Sequence, residues 1–163
     1  MIQMSNKPKE ISIHRLELPE IMFIGIPVNV SFKHGDFSKI GQLKQTFMQR
    51  RSEIPNIADV DHYYAPWYDC EVMFTYFYCM QVSSLEQIPE GMTGFAVPAR
   101  TYLRAQYDGA YPCNPDPYAE LQKYREIHNL RHDKSAIVIE KYALANESLE
   151  GRLVVEVYGP IES

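Results

Sequence analysis

The amino-acid sequence predicts an α+β domain: duplicated ββαββ halves with a largely antiparallel sheet and two helices. Three observations carry this reading. Apolar runs bounded by turn residues recur in pairs, two segments repeat apolar residues at helical spacing, and Glu86-Gln87-Ile88-Pro89-Glu90-Gly91 supplies turn chemistry near the midpoint.

The elements follow in chain order. Residues 1–10 are polar, lysine-bearing and without periodicity, and read as a flexible N-terminal arm before a domain over 11–163. Ile11-Ser12-Ile13 through Val28-Asn29-Val30 alternates weakly around Leu18-Pro19-Glu20, so two short strands or one bent strand fit. Asp36 can cap a helix over 37–53, with Phe37, Ile40, Leu43 and Phe47 on one face. Strands follow at 60–66 and 71–83, then 94–99 and 101–107. Asn114-Pro115-Asp116-Pro117 opens a second helix over 117–130, with Tyr118, Leu121, Tyr124, Ile127 and Leu130 at helical spacing. Strands at 136–142 and 152–161 close the chain.

Composition excludes several function classes. The net charge is −5 and the pI about 5.5, so non-specific nucleic-acid binding has no electrostatic support. No run of about 18 apolar residues spans a membrane, and no signal-peptide core is present. Cys70, Cys79 and Cys113 are odd in number and lack CxxC spacing, which argues against a disulfide framework or zinc site and for a reducing cytoplasm. Of His14, His34, His62, His128 and His132, only the last two stand four apart, without an acid at ligand spacing. No metal and no cofactor is expected.

The unusual feature is aromatic. Of twelve tyrosines, seven phenylalanines and one tryptophan, five tyrosines, two phenylalanines and the tryptophan cluster in 61–80, with Tyr102, Tyr107 and Tyr111 as a second group. Tyrosine combines an apolar body with a polar tip and suits both strands and cavities that accept flat molecules. In the closing segment, period-2 alternation puts Leu153, Val155 and Val157 toward the core, and Val154, Glu156 and Tyr158 on the other face. Two readings of Glu156 stay open: a solvent-facing strand residue, or a carboxylate on a pocket floor awaiting a cation.

Several short stretches, in order, resemble the GyrI-like small-molecule-binding domain, found also as the effector-binding domain of multidrug-sensing transcription activators. They are Leu18-Pro19 with Phe23-Ile24-Gly25-Ile26, then Tyr63-Tyr64 with Asp69, and Tyr76 with Cys79-Met80-Gln81-Val82, where Cys79 replaces the usual glycine or alanine. Ile88-Pro89-Glu90-Gly91-Met92, Val97-Pro98-Ala99-Arg100-Thr101-Tyr102 and Asp108-Gly109-Ala110-Tyr111 follow, and Val155-Glu156-Val157-Tyr158-Gly159-Pro160-Ile161 resembles the closing strand.

The resemblance implies a cleft for lipophilic, often cationic compounds, with Glu156 facing it among aromatic residues. The implied ligand-binding set is Glu156, Tyr158, Tyr64, Trp67, Tyr68, Tyr76, Tyr102 and Tyr111. The match begins near residue 11, so a stand-alone cytoplasmic binder without a DNA-binding segment is expected. Its partner is a hydrophobic or cationic small molecule, with no direct nucleic-acid or membrane contact, and a homodimer stays open. Two alternatives come with the family. One is a hydrolase opening strained, cyclopropanoid-type rings with Glu156 and Tyr111 or Tyr158 as acid–base groups. The other is a protein-interaction module of the topoisomerase-inhibitor kind.

Overall fold

The computed structural model describes residues 11–33, 35–148 and 150–162; the expected arm over 1–10 lies outside them. Among the described residues, eight strands and two α-helices run in the order β1 (Ser12–Leu18), β2 (Ile21–Ser31), α1 (Ser38–Arg50), β3 (His62–Asp69), β4 (Met73–Val82), β5 (Thr93–Val97), β6 (Arg100–Ala110), α2 (Pro117–Ile127), β7 (Val138–Ala143) and β8 (Arg152–Pro160). The predicted ββαββ repeat is therefore present twice.

The helix ends follow from local chemistry. The first helix starts at Ser38 with Phe37, not the expected Asp36, at its N-cap position; Asp36 Oδ1 accepts the Ser38 backbone N–H at 3.0 Å from just outside the helix, and a 3₁₀ turn over Arg51–Glu53 fills the remainder. Asp116 caps α2 by accepting from the Tyr118 N–H at 3.0 Å, with Pro117 in the first turn. The second helix stops at Ile127 rather than residue 130, because Asn129 adopts a left-handed conformation with φ of 55°.

All strands join one antiparallel sheet in the order β1-β6-β8-β7-β3-β4-β2-β5. The first strand of each half is exchanged: β1 pairs with β6 of the second half, and β5 with β2 of the first. Only Pro19 and Glu20 join β1 to β2, and only Pro98 and Ala99 join β5 to β6. Each link crosses six strand positions, roughly 29 Å in a flat sheet, whereas the two residues reach only about 10 Å between strand ends. The sheet must curl. Its edges accordingly meet in one cluster, where Leu16 and Leu18 of β1 and Phe95 and Val97 of β5 pack with Phe23, Phe77, Tyr102 and Tyr158.

The helices cover the opposite face. On α1, Phe47 packs among Ile24, Tyr63 and Tyr78, and on α2, Leu121 packs among Leu103, Val155 and Val157. The first helix lies on β2 and β4 and the second on β6 and β8, so the central strands β3 and β7 form the floor between them. Trp67 and Tyr142 touch both helix-side clusters and mark that floor.

Close strand packing sets one sharp constraint. A Cβ at Gly25 would lie 1.9 Å from the Tyr78 carbonyl oxygen and 2.7 Å from Cys79 Cα. Gly25→Ala is expected to lower unfolding stability by about 2 kcal/mol or more, read as a lower urea midpoint. An unchanged midpoint would contradict the β2–β4 geometry described here.

Candidate functional site

The floor between the helices is built around Glu140. Alternation along β7 puts Val138, Glu140 and Tyr142 toward the helices and Ile139 and Lys141 toward the opposite cluster. The half-buried Glu140 carboxylate accepts three tyrosine hydroxyls. Tyr76 of β4 and Tyr142 of β7 donate to Oε1, each at 2.6 Å, and Tyr118 of α2 donates to Oε2. Trp67 Nε1 donates to the Tyr118 hydroxyl at 2.8 Å. Across the β3–β7 pair, Glu140 is opposite Ala65, whose small side chain leaves room for these rings.

Burial is the largest cause of the raised pKa values of Tyr76, Tyr118 and Tyr142, and the Glu140 charge adds to it. Burial likewise pushes Tyr78 up to about 12. Two cavities of about 200 Å³ flank the carboxylate cluster. One lies under α2, lined by Trp67, Tyr118 and Val138; the other is lined by Tyr63, Tyr142, Glu147 and Lys44.

The residues expected from the sequence divide between two faces of the sheet. Trp67 and Tyr76 lie on the helix side at the Glu140 cluster. Glu156, Tyr158, Tyr64 and Tyr102 lie on the opposite side. Lys141 is the direct antiparallel neighbour of Glu156 and shares its face, so Glu140 and Glu156 point in opposite directions.

Glu156 accepts from Gln106 Nε2 at 3.0 Å and from the Tyr158 hydroxyl at 2.7 Å. Burial alone would raise its pKa, but those two bonds, with Lys141 and Arg104 nearby, outweigh burial and hold it below the ordinary glutamate value. Its negative charge thus already has donors and cations. Tyr102 is fully buried edge-on to Tyr158, and the Tyr64 hydroxyl sits 2.8 Å from Asp59. Tyr68 packs on Phe77, and Tyr111 is 71% exposed in the β6–α2 connection. Tyr111 is five residues beyond Gln106, the partner of Glu156, so the structure does not bring Tyr111 and Glu156 together.

Glu140, Tyr118, Tyr142, Tyr63 and Glu147 were not among the expected residues. A signal was available. Val138-Ile139-Glu140-Lys141-Tyr142 repeats the V-x-E-x-Y pattern of Val154-Val155-Glu156-Val157-Tyr158. Among the described residues no group of three or more His, Cys, Asp or Glu side chains could hold a metal, and no helix is long and apolar enough to cross a membrane.

The family model of Cass2, the integron-associated effector-binding proteins, matches residues 16–161, and the chain belongs to that family. Solved structures share the fold. The C-terminal domain of EcmrR aligns with TM-score 0.73 at 18% identity, covering 94% of this chain and 98% of that one. SAV2435 bound to tetraphenylphosphonium aligns with TM-score 0.71 at 15% identity, covering 94% of each. The integron cassette protein VCH_CASS2 from Vibrio cholerae aligns with TM-score 0.60 at 16% identity, covering 92% and 95%. No protein of curated function matches the sequence.

The tyrosine cluster makes a pH prediction. A tyrosine whose folded pKa exceeds the usual 10.0 contributes stability that is fully present below about pH 10 and lost as pH rises through the folded value. Ionisation of the buried tyrosines, followed at 295 nm, is therefore expected to coincide with cooperative unfolding by circular dichroism in the window above pH 10. Buried tyrosines titrating near pH 10 with the fold intact would contradict the packing of this site.

Proposed function

We propose that the chain binds lipophilic, aromatic, cationic small molecules between its two helices, with Glu140 as the counter-charge and Trp67, Tyr76, Tyr118 and Tyr142 as the walls. Membership of an effector-binding family supports small-molecule binding as the general activity. The observation that carries the finer reading is one carboxylate receiving three tyrosine hydroxyls on a floor framed by aromatic rings, with no side-chain cation bonded to it among the described residues. Carboxylate and π-faces both attract a cation without demanding a particular shape. A planar or multi-ring guest loses few directional hydrogen bonds there, which favours a broad ligand range.

Each flanking cavity holds about 200 Å³, below the roughly 300–1,000 Å³ of typical ligand sites. Tyr118 closes the gap by joining α2 to both Glu140 and Trp67. Admitting a multi-ring cation requires Tyr118 to leave Glu140, and the ligand charge then replaces the lost donor. The sequestering or sensing role follows from reversible binding alone and needs no chemical step. Tetraphenylphosphonium, the compound bound to SAV2435, is a suitable first probe.

Titration with tetraphenylphosphonium, followed by calorimetry and by the fluorescence of the one tryptophan, tests the reading. Glu140→Gln is expected to weaken binding by about 1–3 kcal/mol, while Glu156→Gln leaves it unchanged. Wild-type affinity in a folded Glu140→Gln variant, or loss confined to Glu156→Gln, would move the site to the other face.

A further inference from the structure

Tyr63 and Tyr142 stack with centroids 5.0 Å apart and planes within 12°, yet their hydroxyls go to different carboxylates. Tyr142 donates to Glu140, and Tyr63 donates to Glu147. Beside Glu147 lies the second cavity of about 200 Å³, and the Lys44 side chain of α1 reaches into it. The Lys44 ammonium is 2.8 Å from Glu147 Oε2 and 5.7 Å from the Tyr63 ring centroid. A carboxylate, an aromatic face and a cavity thus already hold one alkylammonium, supplied by the protein itself.

We infer that Glu147, Tyr63 and Tyr142 form a second cation subsite, specific for compact alkylammonium groups, whose resident occupant is Lys44. In its full form the inference rests on the Glu140 reading: a ligand with an aromatic cation at Glu140 and an ammonium arm at Glu147 spans both sides of the tyrosine stack. Lys44 then acts as an internal competitor that sets the preference between one and two positive charges.

The charges around the cavity fit this assignment. Arg152 also lines the cavity, but its guanidinium is engaged by Asp108 at 2.8 and 2.7 Å. The Lys44 and Glu147 side chains are 37% and 32% exposed. An ion pair so exposed is weak, and the flexible lysine can return to water. With Lys44 withdrawn, two carboxylates remain along one aromatic stack. A ligand carrying two positive charges matches them, and a monocation leaves one unmatched.

Chemical rescue of the Lys44→Ala variant separates this inference from the Glu140 reading. Adding n-butylammonium is expected to raise the melting temperature of Lys44→Ala by about 2–4 °C over sodium chloride of equal ionic strength. Wild type, and Lys44→Ala combined with Glu147→Gln, are expected to show no such rise. An aminoalkyl-triphenylphosphonium dication is expected to bind Lys44→Ala about two- to fivefold more tightly than wild type, the range set by a weak exposed ion pair. Tetraphenylphosphonium is expected to bind both equally. Absence of the n-butylammonium effect overturns the subsite even if tetraphenylphosphonium binds wild type. Rescue without any tetraphenylphosphonium binding supports the subsite and instead removes the Glu140 reading.

Discussion

A carboxylate among aromatic rings on a sheet floor is costly unless donors surround it, and the helix side of this fold is arranged to supply them. Glu140 draws one hydroxyl from its own strand, one from the first half and one from the second helix. These three bonds tie β7, β4 and α2 to one point. The same point is where the two halves of the sheet join, because β7 and β3 are the central strands. Site and fold therefore share one constraint: the seam between the halves is also where the charge is held.

The exchanged first strands explain why the seam is left available. Two-residue links at Pro19-Glu20 and Pro98-Ala99 pull the sheet edges toward each other on the side away from the helices. That curl buries Phe23, Phe77 and Tyr102 and fills the inner face with an apolar core. Each helix then packs over its own half, on β2 and β4 or on β6 and β8, leaving β3 and β7 as floor. A binding site between the helices follows from the topology, and residue choice on two strands decides what it binds.

Much of this was legible in the sequence. The ββαββ repeat, the Asp116-Pro117 start of α2 and the apolar face of β8 rest on local chemistry, and the structure carries each of them. Register was not legible. Val138-x-Glu140-x-Tyr142 and Val154-x-Glu156-x-Tyr158 look alike along the chain, but Lys141 pairs with Glu156 and the two glutamates face apart. That pairing separates the carboxylate that meets cations from the one that receives three tyrosine hydroxyls. Glu156 has Lys141 and Arg104 beside it, whereas Glu140 is held by tyrosine hydroxyls. The exchanged strands were likewise hidden, because Leu18-Pro19-Glu20 reads locally as a break between two strands or a bend in one, and Pro98 and Ala99 read as the end of a strand over 94–99.

The central claim is that ligand charge meets the helix side of the sheet at Glu140. Its most direct test is an NMR titration of protein with isotope-labelled tyrosine rings, saturated with tetraphenylphosphonium. The account predicts ring shifts and ligand contacts at Tyr76, Tyr118 and Tyr142, with Tyr64, Tyr102 and Tyr158 unmoved. Ligand contacts at Tyr64 and Tyr158, with the Glu140 tyrosines unchanged, would contradict it.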